Sequence, residues 1–192
     1  MKERIRKRDA GTIFNPVMFL VILILTAQLL ILFVEYKRIT WVSEAVTDSM
    51  TDALLGAGTL NEEELYHYGR TNQLEILYPK EKYDLFRDLL CEELGLTEDM
   101  NVTDHSMALL ADNVTIKDFK VYSVRGQDIM LYDFDESVGY TSVLLEGMAG
   151  LYDAGNGEVI EKSALMAEIE FTIEFMGFPV KVNKYHMVDM TN

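Results

Sequence analysis

The sequence predicts an α+β protein: a single N-terminal transmembrane helix continuing into an extracellular helix, then short helices and an antiparallel β-sheet. Three observations carry this expectation. Val17 to Val34 is an 18-residue apolar run broken only by Thr26 and Gln28. The helical spacing of apolar residues then persists to Leu54. From Val114 onward the apolar period falls to two, the period of a strand. The chain divides accordingly into a basic leader (1–12), a transmembrane helix (13–36), an extension of that helix (37–58) and an α+β head (59–192).

An 18-residue helix rises about 27 Å, close to the ~30 Å hydrocarbon thickness of a bilayer. A cleaved secretory signal has a shorter apolar core and an A-x-A-like site just behind it. This run ends instead in "LFVEYKR", so the segment is expected to stay as an anchor in the lipid bilayer. Five of the first eight residues are Lys or Arg, which places the N-terminus in the cytoplasm and residues 37–192 outside the cell. Tyr36 and Trp41 suit the outer interface. Asn15 and Pro16 read as a helix cap and first helical position. Within the membrane, Thr26 is read as bonding its own backbone. Gln28 is either tolerated or hydrogen-bonded to another transmembrane helix, a contact of about 0.6–2 kcal/mol.

Beyond the membrane, Ile39, Val42, Val46, Met50, Ala53 and Leu54 recur at spacings of three and four and mark one helical face. Gly56 and Gly58 read as its stop. Trp41, Val42 and Val46 join Gln28 as helix-packing candidates. "TLNEEELYHYG" predicts a second helix capped by Asn61 or Thr59, with three glutamates favoured by the helix dipole. "YPKEKYDLFRDLLCEELGL" predicts a third, with Tyr83, Phe86, Leu90 and Leu94 on one side and Gly95 at its end. "VTIKDFKVYSV" and "IMLYDFD", joined by "RGQD", read as a hairpin. In "AEIEFTIEF", Ile169, Phe171, Ile173 and Phe175 share one face. Glu168, Glu170, Thr172 and Glu174 share the other. After Gly177 and Pro179, "VKVNKYHMV" returns as its partner, with Lys181 and Lys184 expected opposite the glutamates.

Residues 1–34 carry five basic side chains against Glu3 and Asp9. They are net +3, which leaves −18 of the total −15 on residues 35–192. So acidic a domain is repelled by nucleic acid, and a nucleic-acid partner is excluded from the expected set. Cys91 is the single cysteine; its leucine-rich setting predicts a buried thiol. His67, His105 and His186 are far apart and not at metal-ligand spacing. No nucleophile elbow or phosphate-binding glycine loop occurs, so the sequence offers no catalytic, cofactor or metal residues and predicts no enzyme. Asp153, Asn156 and Glu158, and Asp133, Asp135 and Glu136, cluster in two acidic stretches, read as solvated turns in preference to a calcium site. Glu168, Glu170 and Glu174 form a candidate acidic docking face; the other reading is the wet side of a half-exposed sheet.

With its basic leader, one apolar helix running past the membrane and a small α+β head, the chain resembles the pilin family of bacterial surface fibres. It is most similar to the TadE-like minor pseudopilins of Tad (tight adherence) systems in their divergent Gram-positive form. The resemblance covers the whole layout, and residues 4–55 carry its specific part. It implies a non-enzymatic subunit of a pilus-like or secretion assembly, whose partners are other transmembrane or pseudopilin subunits met through the long helix. Family processing cuts after a small residue before the apolar helix, which here implies a cut between Gly11 and Thr12. The fifth residue after that cut is Pro16, where the family commonly carries glutamate, so a retained, uncut anchor is the other form. A stand-alone membrane-tethered module binding a ligand or cell-wall component is the alternative function.

Overall fold

A computed structural model describes residues 3–104, 106, 110–135, 139–155 and 157–190, with side chains from Pro16 onward. His105, Glu136 and Asn156 lie outside the described residues. Three helices, α1 (Glu3–Ala57), α2 (Glu62–Thr71) and α3 (Pro79–Leu94), precede five strands. These are β1 (Thr115–Arg125), β2 (Asp128–Asp135), β3 (Gly139–Leu145), β4 (Ala164–Phe175) and β5 (Phe178–Asp189). The chain forms two compact units, Met1–Trp41 and Val42–Asn192, and α1 contributes to each.

In the N-terminal unit α1 begins at Glu3, not at the expected Pro16, which lies inside the helix. Proline removes one backbone donor and crowds the carbonyl four residues earlier, a local cost that a long helix absorbs without ending. From Pro16 to Phe33 every side chain is exposed, and this is a helix long and apolar enough to cross a membrane.

The C-terminal unit is a sheet of order β3-β2-β1-β4-β5, antiparallel throughout. Strand alternation gives it two faces. On one, Phe119, Val121, Leu165, Ala167, Ile169, Phe171 and Ile173 are buried under helices. Val42, Val46, Met50, Ala53, Leu54 and Ala57 of α1 are buried in a stripe at helical spacing. Leu54 shares a small cavity with Leu165 and Val188. α3 lies over β1 and β2, with Phe86 5.1 Å and Tyr83 5.4 Å from the Phe119 ring. The residues expected on its inner side, Phe86, Leu90 and Leu94, are buried, and Tyr83 is half-buried. α1 and α3 approach so closely that a Cβ on Gly56 would stand 2.5 Å from Leu89 Cδ1. Gly56 is therefore a crossing point within the helix, not its stop signal.

The other face is covered at one end by residues 148–160. Tyr122, Ile129, Ile160, Ala164 and Met166 form a buried cluster there, flanked by Met148, Tyr152 and Met187. The Asp153–Glu158 stretch is a turn at the tip of this flap. Its Asp153 carboxylate accepts hydrogen bonds from the N–H groups of Gly155 and Gly157 at 2.8 and 3.0 Å. Strand β3 was not anticipated: "GYTSVLL" lacks a clean alternation and is exposed from Gly139 to Leu144.

The connections are set by local chemistry. Asn61 caps α2 through Glu64 N–H at 2.8 Å, and Glu64 reaches back to Asn61 N–H at 3.2 Å, a reciprocal cap. The β4–β5 hairpin turns on Met176 and Gly177, at φ 51° and 82°, a geometry that favours glycine. Pro179 sits within β5 opposite Glu174 and not before the strand, which an edge position tolerates. Lys181 pairs with Glu170 as expected, but the register puts Lys184 opposite Ile169, on the helix-covered side. Glu170 stands two positions from Thr172, the residue opposite Lys181, whereas Lys184 is three strand positions from Lys181 and so points to the opposite face.

A buried ion pair ties α2 to α3. Lys82 Nζ donates to Glu64 Oε2 at 2.7 Å and to the Thr59 carbonyl at 2.6 Å, and Glu64 Oε1 accepts from Leu77 N–H at 3.1 Å. Both side chains are almost fully enclosed. Removing one partner leaves a buried charge uncompensated. Lys82→Met is expected to cost about 3 kcal/mol in urea unfolding of the detergent-solubilised chain. Lys82→Met with Glu64→Gln, which removes both charges, is expected to lose less than the single variant.

Candidate membrane and assembly interface

The candidate residues separate into three places. Gly11 and Thr12 fall within α1, where side chains are not described. Gln28 sits in the exposed apolar run, and its amide has no hydrogen-bond partner among the described residues. Thr26 is satisfied internally, its hydroxyl donating to the Ile22 carbonyl at 2.8 Å. Just beyond the run come polar and aromatic groups of the kind that favour an interface. Lys37 lies 5.9 Å from the Phe33 ring, Glu35 and Arg38 pair at 3.6 Å, and Tyr36 and Trp41 are exposed.

Val42 and Val46 are placed differently from Gln28 and Trp41. Both are fully buried with Met50 and Leu54 in the core of the C-terminal unit, so their packing partners lie in the same chain. Trp41, one residue before, points off that stripe and is 60% exposed.

On β4, Glu168, Glu170 and Glu174 share a face, as the alternation required, but their settings differ. Glu170 accepts from Lys181 at 2.9 Å and has Lys117 at 3.3 Å, which holds its carboxyl below the usual carboxylate range; Lys181 is raised in turn. Glu168 receives only a 3.4 Å bond from Asn183, and Glu174 is exposed. One of the three glutamates of the docking face, Glu170, is thus neutralised by lysines of the same unit. Cys91 is buried, and burial raises its thiol pKa, so the site holds no activated thiolate.

An aromatic groove escaped the sequence reading. Phe134 stacks on Tyr83 at 5.3 Å and on Tyr140 at 5.5 Å. With Lys80, Asp84 and Arg87 these rings line a cavity of about 460 Å³ beside β3. Lys80, Tyr83, Asp84 and Arg87 lie at helical spacing on α3, which is the signal that could have found the face. Its partners on β2 and β3 depended on a strand the sequence did not disclose.

Compared with family models, curated proteins and solved structures, the chain matches none.

The Glu170 cluster predicts a pH signature. A carboxyl lowered in the folded state adds stability that is present above its unfolded pKa, near pH 4, and lost as pH falls through the folded value. The wild-type advantage over Glu170→Gln in thermal unfolding is therefore expected to be constant from pH 5 to 7 and to vanish in more acid solution.

Proposed function

We propose that the chain is a non-enzymatic, single-pass membrane subunit of a pilus-like or secretion assembly, similar to a minor pseudopilin, with its N-terminus in the cytoplasm and its C-terminal unit outside the cell. The observation that carries the reading is the division of labour along α1. Residues 17–34 offer an uncharged apolar surface with Gln28 in its middle, and residues 42–57 are built into the core of the folded unit. A helix used in this way anchors the domain and leaves its membrane half free to meet other transmembrane helices. Association in lipid draws on packing and interhelical hydrogen bonds, and Gln28 supplies the polar group for one. Trp41 marks the outer boundary of the contact. The five basic residues before the apolar run set the orientation.

A second reading has a specific observation behind it. The groove at Tyr83, Phe134 and Tyr140 has the size of a small-ligand site, and a stand-alone tethered binding module would use it. That module would be monomeric in detergent and gain thermal stability from its ligand.

Crosslinking in the native membrane tests the assembly. Wild-type chain is expected to capture membrane partners through α1, and Gln28→Leu with Trp41→Ala is expected to reduce that capture at least fivefold. Unchanged capture would refute helix packing through these residues. N-terminal sequencing of the extracted protein decides its form: a start at Thr12 means pilin-type processing, and a start at Met1 means a permanent anchor.

A further inference from the structure

The sheet is open at both ends, and its two free edges differ in a way that selects a partner. Strand β3 is one edge, seven residues and about 23 Å long, with no bulge in its pairing to β2. It carries no charged residue, and Tyr140, Val143 and Leu144 are about half exposed. Natural edge strands are usually blunted by lysines, prolines, bulges or a covering segment. Apart from its short length, β3 has none of these guards among the described residues. Strand β5 is the other edge, twelve residues in unbroken register with β4. Phe178 and Val180 are exposed along it, and Pro179 interrupts its donors only near the start.

Charge separates the two edges further. Residues 128–147, which hold β2, β3 and their flanks, contain five acidic residues and no Lys or Arg. Strand β5 contains Lys181, Lys184 and His186 and a single acid, Asp189 at its end, within a domain that is otherwise strongly acidic. Glu170 engages Lys181 within the chain, while Lys184 has no ion-pair partner among the described residues. Pairing β3 with β3 would bring together the acidic residues that flank the strand in each copy, and pairing β5 with β5 would bring together the Lys184 of each copy. Like charges placed together penalise both. Pairing β3 of one copy with β5 of the next satisfies backbone groups on both edges and brings opposite charges together.

We propose that the partner at the β3 edge is the β5 edge of a second copy of this chain, joined by strand addition into a continuous sheet. This deepens the assembly reading and rests on it. In the order β3-β2-β1-β4-β5 with every neighbour antiparallel, β3 and β5 run in the same direction. Copies sharing one orientation in a membrane therefore pair these edges in parallel. The contact uses different surfaces on its two sides, so it propagates from copy to copy instead of closing as a symmetric dimer. Backbone pairing supplies the affinity, and the charge pattern supplies the selectivity.

Val143 and Asn183 both point to the flap side of the sheet, on opposite edges and about 28 Å apart within one chain, across four strand spacings and six residues along the strand. The test uses the full chain in its native membrane and a bismaleimide of roughly 8 Å reach, too short for that intrachain gap. Val143→Cys/Asn183→Cys is expected to give a ladder of dimers, trimers and higher species. Wild-type chain, with its buried Cys91, and either single variant are expected to give none. Ser142→Lys added to the double variant places a charge on an exposed position of the edge without entering the core, and is expected to weaken the ladder at least tenfold with the melting temperature held. A dimer from Val143→Cys alone would mean that β3 pairs with itself, and no ladder from the double variant would mean that the edges do not meet. Either result overturns the proposal. Adding Gln28→Leu separates it from the reading it rests on. A ladder that persists while partner capture through α1 is lost supports edge pairing on its own, and intact capture without a ladder removes edge pairing alone.

Discussion

The structure depends on one burial: the α1 stripe Val42, Val46, Met50, Ala53, Leu54 and Ala57 closing the helix-covered face of the sheet. Fully burying a Val, Leu or Met side chain stabilises by about 1.5–3 kcal/mol, so the four larger residues alone contribute roughly 6–12 kcal/mol. A domain's whole net stability is about 5–15 kcal/mol. The sheet cannot spare this helix. Because the same helix continues from the apolar run, the element that would hold the protein in a membrane also completes its fold.

Around that contact the remaining pieces are placed by close fit and by paired charge. Gly56 lets α3 come within a side-chain radius of α1, which brings Phe86 and Tyr83 onto Phe119. The Lys82–Glu64 pair then locks the segment leaving α1 to the first turns of α2 and α3, satisfying the Thr59 carbonyl and the Leu77 N–H. Buried charge is tolerated here because its strong hydrogen-bond partners are already in place. With the sheet fixed from one side by helices and partly from the other by the 148–160 flap, what stays open is its two edges and the aromatic groove beside β3.

Much of this was legible in the sequence where a period or a cap is strong. The apolar run, the stripe from Val42 to Leu54, the start of α2 at one of two capping candidates, the Gly95 end of α3 and the two hairpins each follow from spacing or turn chemistry. What was hidden needed long-range information. β3 is short, uncharged and exposed, so it has no alternating pattern to read; its pairing with β2 defines it. Pro16 was read as a helix start because proline fits a first turn, yet nothing upstream breaks the helix strongly enough to begin it there. Lys184 was put with the glutamates by proximity in sequence, and strand parity sends it to the other face. The buried Lys82–Glu64 pair joins residues on separate helices, and no local pattern distinguishes it from two solvated charges. The candidate interface was legible as residue types and not as a surface: Val42 and Val46 belong to the core, and Gln28 and Trp41 are left exposed.

Two fragments test the central claim most directly, one beginning at Val42 and one at Thr59, each ending at Asn192. Amide hydrogen exchange and urea unfolding would be measured on both. The account predicts that the longer fragment unfolds cooperatively with protected strands β1 and β4, whereas the shorter one, lacking the α1 stripe, is unprotected and unfolded. A fragment from Thr59 that folds as stably as the one from Val42 would contradict it, because the sheet would then not need the helix that carries the apolar run.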